Sequence, residues 1–122
     1  MGSALVGGLI AAGWPATSIT IVELSADRRN ALATLFPGVV TSAEIGPCSA
    51  GVIAVQPPLA AQTCAQLAQA GAKRVLSIAA GISVATLQEA AGSGTAVVRA
   101  MPNTPALVGE GAAGICTSAQ CT

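Results

Sequence analysis

The sequence predicts an α/β domain: a mostly parallel sheet with helices on both faces. Three observations carry that expectation. Short β-branched runs alternate with helical stretches that open on Ser and close on Gly. One run, Gly51 to Val55, is apolar without alternation, as in a strand covered on both faces. Hydrophobic residues make up 52% of the chain and aromatics only 2%, so Ala, Gly and Val supply the core, which suits close helix-on-sheet packing. The 122 residues make one domain, able to bury roughly two thirds of its unfolded surface.

Taken in order, Met1 to Ala12 reads as a helix of small residues ended by Gly13, with Pro15 beyond it. Its glycines would weaken an isolated helix and so imply close packing against a sheet or ligand. Ser18 to Glu23 alternates polar and apolar residues and reads as a strand. Ser25 caps a helix over Ala26 to Phe36, broken by Pro37-Gly38, and Val39 to Thr41 is a short strand. After a polar turn and the Gly51 to Val55 strand, Gln56-Pro57-Pro58 leads into a helix from Leu59 to Ala70 with Gly71 beyond it. Arg74 to Ile78 is the next strand, and Ser83 caps a helix to Ala91. Thr95 to Ala100 is a further strand, and Gly111 to Thr117 a candidate last one.

In such a fold, ligands sit beyond the carboxyl ends of the strands. The loops there are Glu23-Leu24-Ser25, Val55-Gln56-Pro57, Ile78-Ala79-Ala80-Gly81 and Met101-Pro102-Asn103. The last is stiffened by Pro102 and Pro105, which restrict their own φ and push Met101 and Thr104 toward extended geometry. Asn103 there offers an amide with two donors and two acceptor lone pairs. A doubly wound dinucleotide domain opens with a central strand and a glycine turn, but this sequence begins inside what should be the first helix. Gly2 is then the last glycine of a G-x-G-x-x-G; the alternative is that Met1 is a true start. A sheet without its central strand exposes unpaired edges, so poor stability in isolation is expected.

Composition removes other functions. Five basic and five acidic residues give zero formal charge without a run of either sign, unlike a nucleic-acid binder. Every apolar run is interrupted before it reaches the length of a membrane span, and the opening residues lack the basic start of a signal peptide. With no His, no Tyr and Asp27 as the only Asp, a Ser-His-Asp arrangement is impossible. Cys48, Cys64, Cys116 and Cys121 form no CxxC pair and read as reduced thiols of a cytoplasmic protein, with no metal site. Any catalysis would rest on a cofactor.

Arg99-Ala100-Met101-Pro102-Asn103-Thr104-Pro105-Ala106-Leu107-Val108-Gly109, preceded by Leu76 to Ser83 and by the opening Met1-Gly2-Ser3-Ala4-Leu5, resembles the pyrroline-5-carboxylate reductase family. The resemblance runs over essentially all of the chain. It implies a partial NAD(P)-binding Rossmann domain over residues 1–122, followed in the family by a helical dimerisation domain that has no counterpart here. It also implies reduction of the cyclic imine 1-pyrroline-5-carboxylate to proline by NADPH or NADH. Family members are homo-oligomers through the missing domain, which also holds most of the substrate carboxylate's contacts, so this chain alone is expected to be inactive.

Carried over by position, Met1, Gly2 and Ser3 would lie near the pyrophosphate, and Glu23, Leu24 and Ser25 beside the adenosine ribose. Thr41 and the Ala54-Val55-Gln56-Pro57 turn would flank the cofactor, with Ile78, Ala79, Ala80, Met101, Pro102 and Asn103 beside the nicotinamide. Gln56 stands where the family usually has Lys, and Leu24 where many members have Arg. Arg28 and Arg29 are read as exposed helix-face residues, and Glu23 as a ribose ligand or a solvated strand end, so NADH and NADPH both stay open. The reaction suits the missing residue types, because a protonated imine accepts hydride without a strong base. The alternatives are a non-catalytic dinucleotide-binding remnant and the cofactor domain of a related Rossmann oxidoreductase.

Overall fold

The computed structural model describes residues 2–102 and 113–121. Its first half comprises α1 (Gly2–Ala11), β1 (Thr20–Val22), α2 (Ala26–Leu35) and β2 (Val40–Ser42). Its second half comprises β3 (Ala50–Ile53), α3 (Ala60–Gln69), β4 (Arg74–Ser77), α4 (Val84–Ala91), β5 (Ala96–Pro102) and β6 (Ala113–Thr117). Each expected helix and strand is present within a few residues of its expected bounds.

Local chemistry explains the boundaries. Ser25 Oγ accepts the Arg28 N–H at 3.3 Å and Ser83 Oγ accepts the Thr86 N–H at 3.1 Å, capping α2 and α4 as their sequences suggest. Gly71 (φ 100°) follows α3 and Gly92 (φ 81°) follows α4, both in backbone that a side chain would strain. Two ends differ from expectation. Pro57 and Pro58, which cannot donate, begin a tight 3₁₀ turn over Pro57–Leu59, so α3 starts one residue late, at Ala60. β5 runs on through Met101 and Pro102, which were expected in a loop, because antiparallel β6 pairs Met101 with Gly114 and Pro102 with Ala113. Pro102 is tolerated there at a strand terminus.

The strands form two sheets rather than one. β1 and β2 pair in parallel, with Ile21 opposite Thr41. The other sheet has the order β3-β4-β5-β6, parallel except for β6. β1 and β3, the strands that a central strand would join, are each an end strand of their own sheet. The domain is therefore α/β and mostly parallel, with its strands in two separate sheets.

The core belongs to the four-stranded sheet. Ile53, Val75 and Val97 on one face meet Cys64 and Leu67 of α3 and Leu87 of α4. Gly51 shares that face, and a Cβ built there would fall 2.6 Å from both Leu67 methyls, so glycine lets α3 settle onto β3. The opposite face departs from the expectation that Gly51 to Val55 is covered twice. Val52 on β3 is 48% exposed and Ile115 on β6 is 67% exposed. The run is apolar on both faces, but α3 and α4 pack against only the Ile53 face.

Candidate functional site

Parallel pairing brings the carboxyl ends of β3, β4 and β5 to one edge. Ile53, Ser77, Arg99 and Cys116 lie in a single transverse row; β3 and β4 leave the sheet just beyond it at Ala54 and Ile78, while β5 runs on to Pro102 against β6. Ala54, Val55 and Gln56 are exposed and Pro57 half-buried as the chain turns into α3. The Ile78 N–H donates to Ile53 O at 3.0 Å, tying two of these exits together. Ala79 is buried, and its N–H donates to Ser77 Oγ at 3.2 Å, while Ala80 is exposed. The Met101 side chain stands exposed at the end of β5. The turns after β3 and β4 thus share one edge of one sheet with the end of β5.

The fourth segment comes from α1. Gly2 and Ser3 occupy its first turn, and a Cβ built on Gly2 would sit 3.2 Å from Ala54 Cβ. A larger residue at position 2 would push the helix start away from the turn after β3. This close approach joins two segments that are distant in sequence. Met1 and Asn103 lie outside the described residues.

Glu23, Leu24 and Ser25 form the turn from β1 into α2, and half-buried Thr41 lies in the middle of β2 opposite Ile21. The turn is held by its own polar groups. The Ser25 N–H donates to Glu23 Oε1 at 3.2 Å, and Arg28 Nε lies 3.9 Å from Glu23 Oε2. Leu24 is 82% exposed. Arg29 departs from the expected solvated role: it is half-buried, and its Nη1 donates to Glu23 O at 2.7 Å and Leu24 O at 2.8 Å. Arg28 is the exposed helix-face residue that the sequence suggests.

Arg99 is the site-edge residue that sequence reasoning passed over. Its guanidinium donates from Nη2 to Met101 Sδ at 3.6 Å, while its Nε is buried without a hydrogen-bond partner among the described residues. A cation amid β-branched residues was the available signal. Elsewhere, burial pushes the Cys64 thiol up, and its Sγ donates to Leu87 O at 3.4 Å, which marks it as a packing residue. Among the described residues, no helix is long and apolar enough to cross a membrane.

The comparisons with known proteins coincide with this geometry. The pyrroline-5-carboxylate reductase of Pseudomonas aeruginosa is 38% identical over 125 residues, a match covering 98% of this chain and 46% of that protein. Over nearly its whole length the chain is similar to pyrroline-5-carboxylate reductases. Among solved structures, a pyrroline-5-carboxylate reductase from Coxiella burnetii superposes with a TM-score of 0.86 at 28% identity, over 98% of this chain and 46% of that one. The Plasmodium falciparum pyrroline carboxylate reductase, solved with NADP bound, gives 0.81 at 26% identity, over 100% of this chain and 46% of that one. No family model matches the chain. This relative of the pyrroline-5-carboxylate reductases spans a little under half the length of the proteins it matches, and the likeness takes in both of its sheets.

Proposed function

We propose that this chain supplies the cofactor-binding part of an NAD(P)H-dependent reduction of 1-pyrroline-5-carboxylate to proline. The approach of Gly2 to Ala54, at the edge where β3, β4 and β5 end, carries the reading. It leaves the first amides of α1 beside that edge with no side chain over Gly2. Those amides carry the positive end of the helix dipole, which suits a pyrophosphate. Glu23, Leu24, Ser25 and Thr41 would take the adenosine side. Ala54 to Pro57, Ile78 to Ala80, and Met101 to Asn103 would take the nicotinamide side. The NADP in the Plasmodium falciparum structure supports a dinucleotide for this fold.

When bound, the reduced nicotinamide supplies the hydride. The chain's own residues hold and shield it. Buried Ala79, fixed through Ser77 Oγ, gives a stiff wall, and Met101, held by Arg99, gives an apolar one. A protonated imine needs alignment and dryness more than a general base, which fits a sequence without His or Tyr. Assembly into homo-oligomers through a helical domain outside this sequence, and a cytoplasmic location, belong to the same reading.

Calorimetric titration of this chain with NADH and NADPH tests the cofactor assignment, and binding of neither would overturn it. Gly2→Val should weaken binding at least tenfold while the circular dichroism spectrum stays unchanged. Fused to the unmatched remainder of the Pseudomonas aeruginosa relative, the chain should oxidise NAD(P)H when given 1-pyrroline-5-carboxylate. A fusion that binds the cofactor without turnover would remove the reaction and leave a dinucleotide-binding module.

A further inference from the structure

The Glu23 carboxylate in the β1–α2 turn faces two donors. Its Oε1 accepts the Ser25 N–H at 3.2 Å, and its Oε2 lies 3.9 Å from Arg28 Nε. A backbone N–H next to a guanidinium is the donor pair that binds a phosphate monoester. Two further side chains of the turn and its helix are also engaged. Ser25 Oγ caps α2 through the Arg28 N–H, and Arg29 Nη1 is held by the carbonyls of Glu23 and Leu24. The Leu24 side chain, 82% exposed, has no donor to offer. The sequence contains both an acid suited to a ribose hydroxyl and two arginines suited to a phosphate. The structure distinguishes them: Arg29 is a strut for the turn, and Arg28 is drawn to the acid.

From this arrangement we infer that Glu23 selects NADH over NADPH, with Arg28 a latent phosphate ligand that it neutralises. The inference rests on the cofactor reading proposed above and makes it specific. An adenosine ribose with a free 2′-hydroxyl can donate to the Glu23 carboxylate. A 2′-phosphate meets a like charge that also holds the donors it would need.

The test is calorimetry of the whole chain with NADH and with NADPH at low ionic strength. NADH should bind at least about tenfold more tightly, as expected for exclusion by like charge. Glu23→Gln keeps an oxygen to accept the Ser25 N–H and removes the charge, so it should raise NADPH affinity until the two cofactors are within about threefold. Adding Arg28→Ala to that variant should abolish the gain, and Glu23→Asp should retain the preference for NADH. Equal binding by the unmodified chain, preference for NADPH, or an unchanged ratio in Glu23→Gln would each overturn the selectivity while leaving the cofactor reading intact. Binding of neither dinucleotide would overturn both.

Discussion

The two sheets of this molecule are built from similar sequence and reach different degrees of burial. β3 to β6 share a core in which Ile53, Leu87 and Val97 are wholly buried. β1 and β2 are also β-branched and parallel and also have helices beside them, yet Val39 is the one described hydrophobic residue buried in the first 52 positions. Val22 and Val40 remain 41% and 50% exposed, and α1 and α2 bury no residue fully. Pairing two strands fixes their register but provides no interior. An interior needs a face wide enough for a helix to cover, and three parallel strands with α3 and α4 supply one.

The sharpest way to break the comparison is a matched pair of truncations. Leu87→Ala should cost about 2–5 kcal/mol, because it empties a site with no exposed surface in a close-packed cluster. Ile21→Ala, on half-buried β1, should cost well under half as much, since solvent already reaches the site. Urea unfolding of both variants measures the difference. Equal losses would mean that the two-stranded sheet is as much part of the cooperative core as the larger one.

The sequence carried most of the fold because its punctuation is local. Ser25 and Ser83 cap their helices through their own hydroxyls, and Gly71 and Gly92 end theirs through φ values that few other residues adopt. The edge that gathers Ala54, Ile78 and Met101 followed from strand order alone. What was not legible depends on partners distant in sequence. β5 extends through Pro102 because β6 pairs with it, and Val52 is exposed although its run reads as buried on both faces. Arg29 was misjudged because its partners are backbone carbonyls, Glu23 O and Leu24 O, which no residue pattern announces. In each case a tertiary contact settled what local chemistry had left open.

A gentler perturbation probes how tightly the larger half is assembled. Gly51→Ala places a methyl 2.6 Å from both Leu67 methyls, and Leu67 is itself buried against the sheet. Leu67 must change rotamer or α3 must lift, at about 1–3 kcal/mol for overpacking. Leu67→Ala in the same chain should recover part of that loss by opening the space the methyl needs, which a double-mutant cycle measures directly. Gly8 provides the contrast, because a Cβ there meets nothing within 4 Å, and Gly8→Ala should be neutral or stabilising through helix propensity.

The smallest expected effect separates the halves by pH. Burial raises the Cys64 thiol above its ordinary value of 9.0, so the folded chain retains this proton at a pH where the unfolded chain releases it. The stability contributed by the neutral thiol is therefore complete below pH 9.0 and declines as pH rises toward the folded value. In that window the decline is at most about 1.4 kcal/mol per pH unit for one group. Cys64→Val keeps the packing and removes the titration, so its urea midpoint should lose less between pH 8 and pH 10 than that of the unmodified chain. The difference should appear in probes of α3 and α4, where Cys64 Sγ meets Leu87 O, and not in probes of the β1–β2 sheet. A pH response shared equally by both sheets would show that they unfold as one unit, so that the exposed pair draws its stability from the buried core.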